Sequence, residues 1–398
     1  MRSDAAPLPS PSPRPLAGIR VLDLSRVVSG PYAGRILADL GADVVKVESP
    51  AGDITQFAGM IENERSGLFA QMNAGKRSIG IDLDADGSTE IVRSLAAECD
   101  VVIENFRPSV LPRRGLGWAD LSAINPRLVM LSISGFGATS GYSERRAYAP
   151  VIHAESGLLA RYAELDGRMP SDIPLALGDV LSSLHGSIAV LAALRLRDVT
   201  GVGRHIDMSM LDAMVASDDY QHFVVDDRIE PYPTRGTVWQ VAGGPLLLAA
   251  SAKHAWAEIS RQRRLLIGDD IAADVDAKIA ARRTALEEWF ANFSTRQEVL
   301  DELDRLGLAW ADIVSPDDVL RSPAFDGRQI STRPDGPGTR AIVRMPYNFS
   351  AATSGPTRGA ATTGQDTDDV LREWIGLGDD AIRMLRSTGA LFTQEDQR

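Results

Sequence analysis

The residue of this chain best suited to covalent chemistry is Asp179. It lies in the sequence Gly178-Asp179, ahead of a long predicted helix of small apolar residues that ends at Thr200-Gly201. The positive end of a helix dipole favours the charged form of a carboxylate, and an ionised, accessible carboxylate can act as a covalent nucleophile. Aspartate is also a preferred N-cap residue, and the local pattern alone favours that structural role. The choice between nucleophile and cap therefore depends on the rest of the chain.

A second group of residues suits a nucleotide. The segment Glu104-Asn105-Phe106-Arg107-Pro108 ends an apolar strand, and Arg113 and Arg114 follow soon after it. An aromatic ring can cover a base, and arginine can bind phosphate. A solvated loop with Phe106 packed into the core fits the same residues equally well, so both interpretations stay open on the pattern alone.

Three other kinds of site are not supported by the residue spacing. The segment 30–34 follows a strand, but it lacks the G-x-G-x-x-G spacing of a nicotinamide-nucleotide site, and Pro31 removes one N–H that would bind pyrophosphate. Gly75-Lys76 lacks the other residues of a Walker A loop. For His185, packing or a solvated position is favoured over catalysis. We expect no metal site, because no two of the five histidines form a close ligand pair; they are at positions 153, 185, 205, 222 and 254.

Composition limits the class of protein. The chain has 398 residues, of which 44% are hydrophobic and 24% charged, and its net charge is −12. These values are ordinary for a globular protein of two domains, and the acidic balance argues against a nucleic-acid partner. Cys99 is the single cysteine, which excludes a disulfide framework. No apolar run of membrane-spanning length is expected. Residues 1–15 are predicted to form a disordered tail without a signal-peptide core, so we expect a protein of the reducing cytoplasm.

The order of predicted elements indicates an α/β fold with a Rossmann-like parallel sheet. Helices, for example at 30–40 and 87–97, alternate with apolar strands, which are predicted at 19–24, 43–48, 78–83, 101–104 and 128–133. In such sheets, ligands bind at the carboxyl ends of the strands. The loops that we expect to form the site are 25–31, 49–53, 105–114 and 134–146.

A change of pattern near residue 225 predicts a second domain. We assign 16–225 to a large Rossmann-like domain, 226–345 to a smaller α+β domain, and 346–398 to a C-terminal segment. The small domain has charged helical stretches near 273–293 and 295–306 and short strands at 245–250 and 339–345. The C-terminal segment has a Gly-, Thr- and Pro-rich linker before a final helical stretch.

Ordered sequence blocks along nearly the whole chain resemble the class III coenzyme A transferases, the CaiB/BaiF family that includes formyl-CoA transferase and carnitine-CoA transferase. The blocks are 16–24, 28–31, 40–48, 73–79, 104–108, 132–137, 178–179, 200–207 and 363–367. The resemblance implies an interlocked homodimer, in which each chain threads through a ring made by the other. It also implies that the C-terminal segment returns to the large domain.

The same resemblance implies the roles of individual residues. Asp179 matches the catalytic aspartate of the family. The positions that match coenzyme A contacts are Val28, Ser29, Ile81, Asp82, Leu83, Asp84, Asn105, Phe106, Arg107, Arg113, Arg146 and Tyr148. Two positions depart from the family pattern: Ala149 stands where an acidic residue is frequent, and Ser49 where a basic one is frequent. The first departure argues against a formyl- or oxalyl-type substrate, and the second weakens a phosphate contact.

The implied reaction transfers coenzyme A from an acyl-CoA thioester to a free carboxylic acid, with no metal and no tightly bound cofactor. Asp179 would form first a mixed anhydride and then an aspartyl-CoA thioester. Backbone N–H groups would stabilise the oxyanions, and the turn at 233–236 and Gly243-Gly244 are candidate donors.

Three alternatives differ in their chemistry. An α-methylacyl-CoA racemase shares the implied fold and aspartate, but racemases of the family resemble Gly-His-Asp where this chain has Ala147-Tyr148-Ala149. The loss of that histidine favours transfer over deprotonation. A catalytically silent CoA-binding protein is disfavoured because Asp179 is intact. A nicotinamide enzyme is disfavoured by the glycine spacing.

Overall fold

The computed structural model describes residues 12–59, 61–62, 65–225, 236–263, 275–337 and 339–397. Most of the predicted tail, residues 1–11, lies outside the described residues. The described chain forms two compact units. The first comprises the residues up to 218 and those from 329 onward, and the second comprises residues 219–328.

The strands, in chain order, are β1 (Arg20–Asp23), β2 (Asp43–Glu48), β3 (Ile61–Glu62), β4 (Arg65–Ser66), β5 (Arg77–Ile81), β6 (Val101–Glu104), β7 (Val129–Ser134), β8 (Arg204–Ser209), β9 (Thr237–Val241), β10 (Gly244–Leu248), β11 (Trp310–Asp312), β12 (Ser331–Thr332), β13 (Ile342–Val343) and β14 (Leu391–Phe392).

The α-helices are α1 (Ser29–Asp39), α2 (Gly67–Asn73), α3 (Ser88–Ala97), α4 (Trp118–Ile124), α5 (Ala149–Glu155), α6 (Leu158–Asp166), α7 (Leu177–Thr200), α8 (Met210–Ser217), α9 (Gln221–Val225), α10 (Ala252–Arg263), α11 (Val275–Ala291), α12 (Arg296–Leu306), α13 (Thr367–Ile375) and α14 (Asp379–Ser387).

The first unit is built on a seven-stranded sheet in the order β14-β5-β2-β1-β6-β7-β8. Every pair is parallel except β14 with β5, which is antiparallel. Because side chains alternate along a strand, Val21 packs in a core with residues of α1, α5, α7 and α8, whereas Leu22 packs in a core with residues of α3, α4, α13 and α14. The predicted α/β fold with a mainly parallel sheet is confirmed.

Strand bounds follow the apolar pattern closely where a strand is buried on both faces. β2 and β6 have the predicted bounds, 43–48 and 101–104. β5 covers 77–81, not 78–83, so residues 82–84 follow the strand at its carboxyl end. The C-terminal residues also contribute to this unit, because β14 pairs with β5 and the side chains of α13 complete one core.

The second unit has an antiparallel sheet in the order β11-β10-β9. Its core includes Trp239, Leu246, Phe290 and Leu303 from the sheet and from α11 and α12. The units divide at 218/219 and 328/329, not at the predicted 225/226 and 345/346. The later boundary moves because Ile342 of β13 packs against Ala70 and Ala74 in the first unit.

The expectation that no apolar run reaches membrane-spanning length is wrong for α7. This helix has 24 residues and a window of mean hydropathy 1.5, so its length and composition are sufficient to cross a membrane. Half of that window is buried inside the protein, where α7 packs against α1, α8 and β7. A core helix passes the same test, so the finding carries no argument for a membrane.

Candidate active site

Asp179 is the third residue of α7, and its side chain is 8% exposed. The N-cap residue of α7 is Ala176, which offers no side-chain hydrogen bond. The interpretation of Asp179 as an N-cap is therefore wrong. Its carboxylate instead accepts hydrogen bonds from the side chain and backbone N–H of Ser29 and from the backbone N–H of Ala149. Since Ser29 begins α1 and Ala149 begins α5, the starts of three helices meet at this one carboxylate.

Burial controls the ionisation of Asp179. It raises the pKa of this carboxyl from the ordinary 3.8 to about 6, and the hydrogen bonds from Ser29 and Ala149 act in the opposite direction. The sequence predicted that the helix dipole would favour the charged form, but the loss of hydration is the larger effect. At pH 7 the side chain is still mostly a carboxylate, as a nucleophile requires.

The turn between β1 and α1 is held in an unusual conformation beside Asp179. Val27 has φ 70°, in the left-handed region that is costly for a β-branched residue. Its N–H donates to Asp53 Oδ2 at 3.0 Å. Asn105 accepts from the N–H of Arg26 at 2.9 Å, donates to the carbonyl of Arg26 at 2.7 Å, and donates to Ser29 Oγ at 3.0 Å. Asn105 thereby fixes the hydroxyl that contacts Asp179.

Glycine at position 30 is required by the same turn. A Cβ atom there would lie 2.1 Å from the Cβ of Ser25, which no side chain can accommodate. On the other side, Ser183 Oγ of α7 donates to the carbonyl of Ser29 at 2.5 Å. Gly30 therefore lets the start of α1 pack against the turn that follows β1, and Ser183 links the start of α1 to α7, next to Asp179.

A cavity of about 420 Å³ opens at Asp179. Phe106, Met210 and Ile133 supply apolar walls, and Arg26 and Arg145 are among its polar residues. The predicted site residues that it brings together with Asp179 are Ser29, Asn105, Phe106, Arg107, Arg146 and Tyr148.

A second cavity, of about 430 Å³, lies at the carboxyl ends of β2 and β5. It is lined by four residues that the family resemblance had indicated as site positions, Ile81, Asp82, Leu83 and Asp84, and Ser49 lies in it too. Arg26, Phe106 and Val110 line both cavities. The two cavities therefore adjoin along shared side chains.

Two predicted contacts are placed elsewhere. Val28 is buried at the N-cap of α1 and is not among the residues that line either cavity. Arg113 is exposed and also lines neither, whereas its neighbour Arg114 lines the second cavity and donates to the carbonyl of Leu83 and to Asp84. Both arginines belong to the short 3-10 turn at Pro112–Arg114, which exposes the side chain of Arg113 and directs that of Arg114 to the second cavity.

A family model, CoA-transferase family III, matches residues 16–367. The chain belongs to CoA-transferase family III. The resemblance inferred from the sequence blocks is confirmed, and so is the prediction of a transferase enzyme that acts on CoA thioesters.

Known relatives of this family III CoA-transferase align over almost its full length. Succinyl-CoA--D-citramalate CoA-transferase of Chloroflexus aurantiacus is 29% identical and covers 94% of this chain and 98% of its own. Formyl-CoA:oxalate CoA-transferase of Streptomyces avermitilis is 30% identical, with 94% and 99% covered. A solved structure of a CAIB/BAIF family protein from Brucella suis is 30% identical, with a TM-score of 0.75 and coverage of 91% and 100%.

Positive charge is concentrated at the Asp179 cavity of the transferase, although the whole protein is acidic. Arg26, Arg107, Arg145 and Arg146 all line it. Arg145 pairs with Glu155, and Arg107 donates to the backbone carbonyl of Glu144. Arg26 and Arg146 form no ion pair with the described residues. The arrangement suits a ligand that carries several negative charges.

Sequence reasoning missed the backbone and hydrogen-bond roles of two residues of α5. Ala149 was treated as the loss of an acidic side chain, yet its backbone N–H contacts Asp179; Pro150, at the first turn of α5, was the available signal for a helix start there. His153 of α5 accepts a hydrogen bond from the backbone N–H of Gly178, the residue before Asp179, and no local sequence pattern indicated this contact. Of the candidate oxyanion donors, residues 233–235 lie outside the described residues. Gly243 lies in the turn between β9 and β10 of the second unit, and Gly244 begins β10.

We expect Asp179→Asn to stabilise the folded protein at neutral pH. Because the pKa of Asp179 is higher in the folded state than its ordinary 3.8, folding stability falls as the pH rises from about 4 to about 6, and the loss is complete above that range. The amide cannot ionise, so the gain is on the order of 1–3 kcal/mol at pH 8 and small at pH 4.

Denaturant unfolding of both proteins at pH 4 and pH 8 measures this gain. Asp86→Asn, at an exposed aspartate, is the control and should show no comparable pH-dependent gain. Equal stability of the wild type and Asp179→Asn at pH 8 would contradict the raised pKa.

Proposed function

We propose that this enzyme transfers coenzyme A from an acyl-CoA thioester to a free carboxylic acid, with Asp179 as the covalent nucleophile. The observation that supports the proposal most strongly is the placement of one ionisable, mostly buried carboxylate in a cavity lined by four arginines. A carboxylate can attack a thioester, and the arginines suit the negative charges of the substrates.

The proposed reaction has two halves. Asp179 attacks the thioester carbonyl, the C–S bond breaks, and CoA leaves as a thiolate; the product on the enzyme is a mixed anhydride. The thiolate then attacks the Asp179 carbonyl of the anhydride, which releases the first acid as a carboxylate and leaves an aspartyl-CoA thioester. The acceptor acid runs the same two steps in reverse. The N–H groups of Ser29 and Ala149, which donate to the Asp179 carboxylate at rest, are positioned to stabilise the oxyanion on its carbonyl carbon.

Coenzyme A occupies the two adjoining cavities in this proposal. Its reactive thioester lies at Asp179, and the nucleotide end lies between the carboxyl ends of β2 and β5. Arg114, which lines the second cavity, supplies positive charge for the phosphates. Phe106 lines both cavities and therefore contacts the middle of the ligand.

As donor we propose a dicarboxylic acyl-CoA of the succinyl type. The Chloroflexus relative is named for succinyl-CoA, and the four arginines of the Asp179 cavity offer a second carboxylate a partner. Succinyl-CoA is then a better donor than propionyl-CoA, which has no distal carboxylate, and similar kcat/KM values for the two would contradict this choice.

The first prediction of the proposed mechanism concerns Asp179. Asp179→Asn lowers CoA transfer from succinyl-CoA to a panel of carboxylic acids by about 1,000-fold or more, because a neutral amide cannot replace the nucleophilic carboxylate. In the wild type, kcat/KM rises with pH through about 6, where the pKa of Asp179 lies, since only the carboxylate is a nucleophile. Mass-spectrometric detection of the new acyl-CoA measures both.

Near-normal transfer by Asp179→Asn would remove this residue from the mechanism. A different outcome, rapid exchange of the α-proton of a 2-methylacyl-CoA in deuterated water without transfer, would favour the racemase alternative. Residues 147–149 include no histidine that could act as the second base, so we expect no such exchange.

The second prediction separates two arginines. Arg146→Ala raises the KM for acyl-CoA about 10-fold or more, since a hydrogen bond to a charged group contributes roughly 1.5–3 kcal/mol. Arg113→Ala, at an exposed arginine outside both cavities, serves as the matched control and changes KM much less. Steady-state kinetics with varied acyl-CoA tests the pair. A larger effect at Arg113 would place the coenzyme elsewhere.

The third prediction concerns assembly as an interlocked homodimer. The exposed side of α7 carries an apolar stripe, Ile188, Leu191 and Val199, of which Ile188 is 64% and Val199 69% exposed. Spacings of three and eight residues place these side chains on one helix face, and a partner chain would cover them. Light scattering should give twice the chain mass of 42.8 kDa, unchanged on dilution because interlocked chains cannot separate while folded. A monomer mass would refute the proposal.

A further inference from the structure

A buried histidine joins α5 to the start of α7. His153 is 1% exposed, and each of its ring nitrogens has one hydrogen-bond partner. Nδ1 lies 2.9 Å from Oδ1 of Asp172, and Nε2 lies 3.3 Å from the backbone nitrogen of Gly178. Gly178 directly precedes Asp179, so the histidine contacts the backbone N–H of the residue before the proposed nucleophile.

The two contacts specify one tautomer of the ring. The N–H of Gly178 can only donate, so Nε2 must accept and carry no proton. The hydrogen bond from His153 holds the pKa of Asp172 below its usual value, so that side chain is an ionised acceptor, and Nδ1 must carry the proton. Asp172 also accepts from the N–H of Ile173 at 2.9 Å, which fixes its own orientation.

The histidine supplies a hydrogen bond that the helix cannot supply for itself. The first N–H groups of a helix lack partners within the helix, and a side chain at the N-cap normally satisfies one of them. Ala176 at the N-cap of α7 has no polar side chain. The ring of His153 accepts the hydrogen bond instead, although it lies 25 residues away in sequence.

The contact also couples the orientation of Asp179 to α5. A Cβ atom on Gly178 would lie 3.1 Å from Cγ2 of Ile152, so the two helices approach closely at this point. The N–H of Ala149, at the other end of α5, donates to the Asp179 carboxylate. Rotation of the Gly178 peptide would break the bond to His153 and would turn the carboxylate away from its donors Ala149 and Ser29.

We propose that His153, oriented by Asp172, is a positioning residue for the transfer reaction, which holds the Gly178 peptide so that Asp179 faces the thioester. The inference rests on the proposed function of Asp179, but its structural part is independent of it. His153 does not touch the reacting atoms. We expect a change at His153 to lower kcat and not to raise KM. The orientation of the Asp179 carboxylate controls its attack on the thioester, whereas the residues that line the cavities control coenzyme A binding.

Kinetics of three variants test the role. His153→Leu removes the hydrogen-bond acceptor and fills the buried position with an apolar side chain. We expect its kcat to be at least about 10-fold below that of the wild type, with the KM for succinyl-CoA within about two-fold of the wild-type value. His153→Gln keeps an oxygen that can accept from Gly178 and should recover kcat to within about three-fold. His185→Leu is the control, because His185 also hydrogen-bonds by Nε2, to Ser217 Oγ at 2.9 Å, on a part of α7 away from Asp179; it should leave kcat unchanged.

A wild-type kcat in His153→Leu, or a change confined to KM, would overturn the proposal. So would a failure of His153→Gln to exceed His153→Leu when both are folded by circular dichroism. These results have meaning only if the wild type transfers CoA; its failure to do so with the donor and acid panel would count against the proposed function instead.

A spectroscopic measurement decides the structural part without any activity. The ¹⁵N shifts of the five histidine rings in the wild-type protein should include one with a protonated Nδ1 and an unprotonated Nε2, which is lost in His153→Gln and perturbed in Asp172→Ala. This measurement also serves if His153→Leu does not fold. An Nε2-protonated ring at His153 would overturn the inference, because such a nitrogen cannot accept from Gly178.

Discussion

The candidate site depends on the hydrogen bonds that the buried ammonium group of Lys76 donates. It is 1% exposed and donates to Oδ2 of Asp23 at 2.8 Å, to the carbonyl of Pro31 at 2.8 Å and to Oδ1 of Asn73 at 2.9 Å. These partners lie at the end of β1, in the first turn of α1 and at the end of α2, so Lys76 connects the three elements.

Burial lowers the pKa of Lys76 to about 8, against the opposing effect of Asp23. Burial alone would raise the pKa of Asp23, but Lys76 and Lys46 hold it below its usual value. Removal of either partner would leave an unpaired buried charge, at a cost of about 3–5 kcal/mol.

The strained turn at Val27 follows from this anchoring. Lys46 donates to the carbonyl of Ser25 at 2.8 Å and lies 3.5 Å from Asp53, and Asp53 holds the N–H of Val27. A left-handed residue of this kind costs about 1–3 kcal/mol and persists only where its surroundings fix it. Here the surroundings are two buried lysines and their carboxylates. The strain is retained at the one place where the backbone must present the N–H and hydroxyl of Ser29 to Asp179.

The sequence predicted the sheet and much of the cavity lining, and it failed where geometry depends on distant residues or on backbone atoms. β2 and β6 were placed correctly because they are buried apolar runs between clear helix signals. Asp179 was taken for a possible cap because the true N-cap, Ala176, has no recognisable signature, and the histidine that replaces its function lies on another helix. Ala149 was judged by its side chain although the site uses its N–H. Arg113 and Arg114 were indistinguishable by type, and a single 3-10 turn directs only Arg114 to the second cavity.

In the proposed mechanism, the environment of Asp179 balances two opposed requirements. A carboxylate hydrogen-bonded by several N–H groups in water-exposed surroundings is a weak base and therefore a weak nucleophile. Burial raises the pKa to about 6, which makes the oxygen more basic while leaving it ionised at neutral pH. The same burial would make the charge unstable without the donors at Ser29 and Ala149. Those donors need not move when the carboxylate becomes an anhydride or a thioester, because they belong to the starts of two helices that the Lys76 network and His153 hold in place. Catalysis by preformed dipoles requires such rigidity, and it explains why buried lysines and their carboxylate partners lie next to a site whose reaction uses a different carboxylate.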